Sequence, residues 1–522
     1  MRSLGFLLSV SAAALLAGAA SAQELRIGVR AGGESMDPHL SAVGSNIASV
    51  RNVYETLVML DPQLQPYPGL AESWEVVDDL TWRFTLRDGV VFHDGTTFDA
   101  ADVVQSIGRI PVAAGTDSGL NTYIQRIANV AAIDDRTIEI TTTAPAPTLL
   151  LDLSRVFILP SEMPFDTPAA DFNAGTAAIG TGPFRMVSFR PREELVLEPF
   201  ESYWGEGSGF ERVTITEINN DSARVAALVS DRVDLIDSVP AGDMPRIESA
   251  GTYDLYSSPS AVLMIMFMDF RDQTPRVSAN DGSPLPVNPL QDLRVRQAIS
   301  KAINREAIAS RIMEGNAVPA RQYITEGFFG YAADLPPLDY DSAGAKALLA
   351  EAGYPDGFRI TVNCTSDSQP NDAALCAALG PMLSQIGLTV TVDALPRAVY
   401  FPGQATFEYS LMVNGWGSQT GEASYILSTA FHTRDADAGY GGFNHYHYSN
   451  AAVDASIEAA TTELDAETRR GMLEEAMTAA VNDLGAIPIV NLRLTWAGRS
   501  DVLSFTPRVD QETQAIQAVP VQ

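Results

Sequence analysis

Residues 416–425 read Trp-Gly-Ser-Gln-Thr-Gly-Glu-Ala-Ser-Tyr, a run that mixes aromatic faces, hydroxyls, an amide and one carboxylate. Trp416, Ser418, Gln419, Thr420, Glu422 and Tyr425 suit the binding of a small polar ligand, since an apolar wall gives contact area and a few polar groups fix orientation. The run follows strand-like residues 409–413, and open α/β sheets take their ligands at the carboxyl ends of strands. The competing reading makes Trp416 a core residue in an ordinary loop. Bond-making chemistry has less support. His445 and His447 could offer two metal ligands, but they stand in a Gly/Asn/Tyr-rich loop without paired Cys or carboxylates, and are expected to be solvated. His39, His93 and His432 are scattered, and no HExxH, GxSxG or phosphate-loop motif occurs. The carboxylates cannot be paired from spacing alone. No metal, cofactor or catalytic group is expected.

The chain has 522 residues with 34 Lys plus Arg against 65 Asp plus Glu, a formal charge of −31. Such a charge repels phosphate backbones, which excludes nucleic acid as the expected partner. Arg2, the apolar stretch 4–19 and Ala20-Ser21-Ala22 compose an export signal with cleavage after Ala22. Beyond it no apolar run is long enough to cross a bilayer, so the mature chain is expected to be exported and periplasmic. Cys364 and Cys376 would then meet an oxidising compartment. A disulfide closing that short loop is expected, the alternative being two buried thiols.

The elements that must position these residues read as α/β. Residues 25–29 alternate like a strand, 46–60 carry a helical apolar stripe, and 74–77 with 81–86 form a hairpin. Asp99 can cap a helix through Ile107. The turn Gly180-Thr181-Gly182-Pro183 feeds a second hairpin, 185–189 with 194–198. Two strand–helix–strand successions follow, at 213–236 and 358–392, and argue for parallel pairing. Helices are expected from Asp292, from Asn304, at 341–352, 453–460 and 467–481, and an apolar strand at 487–491. The end of the chain reads as irregular.

Several motifs recur in order along the chain: Asp37-Pro38; Tyr54-Glu55-Thr56-Leu57; Leu70-Ala71-Glu72-Ser73-Trp74; Phe92-His93-Asp94-Gly95 with Asp102-Val103-Val104; and Gly180-Thr181-Gly182-Pro183-Phe184. Tyr203-Trp204, Arg294-Val295-Arg296-Gln297-Ala298-Ile299 and Tyr448-Ser449-Asn450 with Asp454 complete the set. In this order they resemble the dipeptide/oligopeptide-type (family 5) periplasmic solute-binding proteins of ABC transporters, over nearly the whole mature chain.

The resemblance implies a two-lobed periplasmic-binding-protein fold with an extra N-terminal subdomain and a hinge. One lobe would comprise 23–55, 181–266 and 488–522 with the subdomain 56–180, and the other 267–487. It implies a monomer that closes on a peptide or peptide-sized polar solute and delivers it to a membrane permease. Ser41, Asn46 and Asp367 join the six residues of the 416–425 run as candidate ligand-binding positions. Two departures bear on the solute. Gln419 stands where dipeptide binders are expected to carry an amine-binding aspartate, with Glu422 as a possible substitute, and residues 365–370 lack the arginine expected for the peptide carboxylate. Losing charge-assisted contacts keeps open a longer peptide, an opine, sugar, amine or metal chelate, and, in another class, an exported enzyme.

Overall fold

The structure, a computed structural model, describes residues 24–113, 120–418 and 420–521. The expected leader 1–22 and Gln419 lie outside the described residues. Two long strands, Tyr253–Met268 and Ala486–Arg499, pair antiparallel at the middle of a 12-stranded sheet. From residue 260 to residue 268 every side chain of the first is buried. Val262, Met264, Met266 and Met268 enter one core, and Ala261, Leu263, Ile265 and Phe267 enter another. Burial on both faces explains why this stretch is apolar without alternation.

The sheet falls into two halves about these strands. On one side Leu411–Gly417 pairs with Tyr253–Met268, then come Arg359–Thr365 and Thr389–Leu395, parallel to each other as expected of a strand–helix–strand unit. On the other side Glu24–Val29 is inserted between Leu235–Ile236 and Arg212–Glu217, parallel to both. The expected parallel pairing is therefore present, but through an intervening strand that chain order could not reveal. The hairpin Phe184–Arg190 with Glu194–Pro199 closes this edge. A separate four-stranded antiparallel sheet, 71–142, packs its apolar face on the helix Ala100–Ala113 through Val103, Ile107 and Ile110.

Register slips between Pro259 and Leu263, where the long strands pass from one half to the other. The bulged segment leaves carbonyls unmatched by the ladder, and Asn491 takes them: its Nδ2 donates to Ser260 O at 2.8 Å and Val262 O at 3.0 Å. Thr325 Oγ1 also donates to Ser260 O, at 2.6 Å. Beyond the slip, residues 262–268 pair with Leu411–Gly417.

Ordered motifs of the sequence meet at two buried junctions. At the first, Glu55 accepts from Thr181 Oγ1 (2.9 Å), Tyr203 OH (3.0 Å) and Trp204 Nε1 (2.8 Å). A Cβ at Gly180 would come within 2.1 Å of Val53 O, so backbone contact explains the glycine there. His93 Nε2 lies 3.0 Å from Gly182 O, and burial lowers this imidazole to about 4. At the second junction Asp483 receives Arg296, Tyr448 OH and Asn450 Nδ2. One expectation fails near the first junction. The helix over 46–60 stops early: Gly44–Val50 is helical, and Val58–Leu60 is a strand. Backbone bonds from Gly182 N to Val53 O and from Phe184 N to Asn52 O hold the chain here, so tertiary pairing overrides the helical stripe.

Candidate functional site

At the carboxyl end of Leu411–Gly417, Ser418 N donates to Ala261 O at 2.9 Å, tying the 416–425 run to the crossing strand. Trp416 lies against Phe267, Tyr425 and Phe443, with ring centroids 6.3, 5.8 and 5.6 Å away. Aromatic packing fixes this indole, yet its Nε1 has no hydrogen-bond partner among the described residues, and the same holds for Ser418 Oγ and Thr420 Oγ1. Thr365 Oγ1 and Asn363 Oδ1, on the adjoining strand, are also buried and unpartnered. A buried polar atom left unpaired costs about 1–3 kcal/mol. Four of these atoms, on Trp416, Ser418, Thr365 and Asn363 along the ends of two neighbouring strands, form an arrangement that a polar ligand would complete.

Elsewhere on the sheet, a cavity of about 510 Å³ is lined by Arg30, Ser45, Ser49, Tyr123, Arg155 and residues 510–513. A second, of about 630 Å³, is lined by Ser260, Glu314, Asp367, Gln369 and Arg493. Arg30, Ser238 and Gln511 line both, so the two are one cleft across the sheet's halves. Burial raises the Tyr425 hydroxyl, and so does the charge of Tyr123, a residue of the first cavity. Beneath that cavity lies a buried charge network. Glu512 meets Arg51 at 3.1 Å and Arg155 at 3.2 Å, while Arg508 meets Asp510 at 2.7 Å. Burial pushes the Glu512 carboxyl up, but Arg51, Arg155 and Arg508 together hold it down at about 2. Asp510 is pushed up by burial and by Glu512 beside it. Three guanidinium groups over two carboxylates leave the network with one positive charge when all are ionised.

The structure separates the expected site residues. Trp416 and Ser418 sit at the strand end with unspent polar atoms. Asp367 lines the larger cavity while its Oδ1 accepts from Arg397 N at 2.6 Å. Asn46 Oδ1 accepts from Glu34 N and Ser35 N, and its buried Nδ2 has no protein partner. Ser41 Oγ accepts from Val43 N in the turn before the helix, and Ser41 is not among the residues lining the two cavities. Thr420 turns into a different crevice, with Leu64, Leu150 and Phe329.

Glu422 has a partner of its own. Both its oxygens are taken by Arg469, at 3.0 and 2.6 Å, and the pair is 5% exposed on each side. A carboxylate so clasped has its charge already matched, and Glu422 lines the crevice of Thr420 rather than either cavity of the cleft. Cys364 and Cys376 are joined by a disulfide between the strand Arg359–Thr365 and the helix Asp372–Gln385. His445 is half-buried and His447 exposed, and no group of three metal-binding side chains occurs among the described residues.

Sequence reasoning missed Arg30, Tyr123, Arg155, Arg493 and the segment 510–513. Arg493 carried a signal, a lone charge inside the apolar stretch 487–497. The charges at 508, 510 and 512, at every second position of a chain end read as irregular, were another.

The family model for bacterial extracellular solute-binding proteins, family 5 (middle), matches residues 65–438. The chain belongs to that family. As a family 5 member it is a solute-binding protein rather than an enzyme. It is 27% identical over 515 residues to the glutathione-binding protein GsiB of Salmonella typhimurium, covering 97% of this chain and 95% of that one. Among solved structures, HbpA2 of Haemophilus parasuis superposes with a TM-score of 0.83 at 21% identity, over 96% of this chain and all of that one. The periplasmic binding protein DppA of Helicobacter pylori, in complex with the peptide STSA, gives 0.68 at 24%, over 95% and 98%. The family 5 chain thus has the two-lobed periplasmic-binding-protein fold expected of it, with the long strands joining the lobes.

Proposed function

We propose that this family 5 protein captures a peptide-like solute between its lobes, outside the cytoplasmic membrane, and delivers it as a monomer to the permease of an ABC importer. The observation that carries the reading is the line of unpartnered polar atoms on Trp416, Ser418, Thr365 and Asn363, beside an aromatic wall on the strand whose Gly415 packs against Gln369 of the cleft. A peptide offers amide groups to such atoms and side chains to the wall, which is how extended peptides are recognised. The names of its relatives support the class: GsiB is a glutathione-binding protein and DppA was solved with a tetrapeptide. Exterior location is supported by the expected leader and by the periplasmic proteins it resembles. No described helix is long and apolar enough to cross a membrane.

Thermal-shift and calorimetric titration of the mature protein with glutathione, tri- and tetrapeptides, sugars and amines tests the reading. Stabilisation that grows with ligand concentration over its dissociation constant, seen for peptides and lost in Trp416→Ala, is the expected result. A shift given only by a sugar or amine would replace the peptide class, and release of a reaction product would replace binding altogether.

A further inference from the structure

The cavity of about 630 Å³ holds two arginines whose guanidinium groups have no carboxylate within ion-pair distance among the described residues: Arg30, following the strand Glu24–Val29, and Arg493, in the long strand Ala486–Arg499. Both are exposed, and each backbone is fixed: Arg30 N donates to Asp237 Oδ1 at 2.8 Å, and Arg493 N to Asn316 O at 2.8 Å. Arg493 pairs with Pro259 at the edge of the register slip, so it stands where one lobe passes into the other. Most neighbours on that strand are buried, and only this side chain is exposed from it.

Resting on the peptide-like reading above, we propose that Arg30 and Arg493 together receive a free carboxylate of the solute, replacing the arginine that residues 365–370 lack. In a chain of formal charge −31 an anionic group is repelled at long range. Two cations left unpaired in the cleft, above a buried network that itself carries one positive charge, reverse that preference locally. Other charges face the same cavity. Asp221 is committed to Arg224 at 2.7 Å, while Asp237, which lines the adjoining cavity, is pushed up to about 6 by burial against the charges of Arg224, 3.4 Å away, and Arg30. Glu314 and Asp367 line it from the second lobe. With both signs present, the fitting solute is a zwitterion whose carboxylate points to the first lobe and the hinge, and whose ammonium points to the second. Closure would then bring Asp367 and Arg30 onto the two ends of one molecule, which is the differential contact that shifts the population to the closed state.

Calorimetry with matched probes tests this: glutathione and Ser-Thr-Ser-Ala, each as free acid and with every carboxyl converted to the amide, against wild type, Arg30→Gln and Arg493→Gln. Loss of a charge-assisted contact predicts roughly tenfold or more weaker binding of the free acid by each variant. The amide should bind wild type weakly and change little on substitution, which also shows that the variants are folded. Equal binding of acid and amide, with both variants like wild type, would overturn the assignment while leaving the peptide reading intact. Failure of wild type to bind any of the four probes would overturn that reading and this assignment with it.

Discussion

Glu55 is the buried carboxyl on which three separated motifs converge, and its protonation is a stability term. Burial raises it to about 7 from 4.5, against the opposing hydrogen bonds of Trp204, Thr181 and Tyr203. The folded state therefore holds a proton that the unfolded chain releases above about pH 4.5. Its stabilising contribution is complete below that pH and is lost as pH rises through about 7. Glutamine mimics the protonated form, so Glu55→Gln should match wild type near pH 4.5. By pH 8 it should exceed wild type by up to roughly 3 kcal/mol, the shift converted at 1.36 kcal/mol per unit. Urea melts across that range check it, and parallel curves would show that Glu55 does not titrate in the window. Glu422 gives the opposite case. Its partner Arg469 is buried with it, so Arg469→Met strands a charge and should cost about 3–5 kcal/mol. The same melts measure that loss, and free-acid peptide affinity of the variant that still folds should stay within about threefold of wild type, a ratio worth less than 1.4 kcal/mol.

At the scale of elements, the disulfide ties the end of Arg359–Thr365 to the helix Asp372–Gln385, and between them runs the segment bearing Asp367 and Gln369. Gln369 packs so closely on Gly415 that a Cβ there would meet its Cγ at 2.7 Å. The bond spans 12 residues, for which loop-closure entropy predicts about 3 kcal/mol. Cys364→Ser with Cys376→Ser should lose that stability and raise amide exchange across 365–371, with weaker solute binding as a consequence. Unchanged exchange would mean the segment is held by Gln369 and Asp372 alone. The elements were also where sequence was most legible. Helices with a side-chain cap stand near where their caps announced them: Asp292 accepts from Arg294 N, and Asp341 from Gly344 N. The failures share one cause. Residues 53–57 keep a helical spacing of apolar side chains but bond to the backbone of Gly182, Ile158 and residues 69–71, and Arg30 shares a cavity with Arg493 only because the first strand is inserted into the middle of the sheet. Long-range pairing decides both, and local pattern carries no record of it. Glu422 shows the same limit within a site, since its partner Arg469 lies on a helix, Ala466–Asn482, that the 416–425 run does not indicate.

For the whole molecule, function depends on how the long strands bend at their slip. Residues 264–268 are buried on both faces in cores of the second lobe, so they cannot flex without breaking packing. The irregular stretch 259–263 can, because its carbonyls are bonded by the side chains of Asn491 and Thr325 rather than by a rigid ladder. Side-chain bonds tolerate small rotations that a sheet register does not, which predicts that closure is absorbed at this pair. Asn491→Ala should leave two buried carbonyls short of a donor, at about 1–3 kcal/mol. Asn491→Asp should be worse, since a carboxylate faces the same carbonyls. Wild type should contract on binding, with a smaller radius of gyration by small-angle scattering at saturating peptide. Asn491→Ala should still bind but with a faster off-rate and a smaller contraction, because the closed state loses its fixed pivot. If the variant contracts as wild type does and only melts earlier, Asn491 stabilises the crossing without governing its motion, and the pivot must be sought in the neighbouring strand Ala317–Pro319, which pairs with the same residues from the other side.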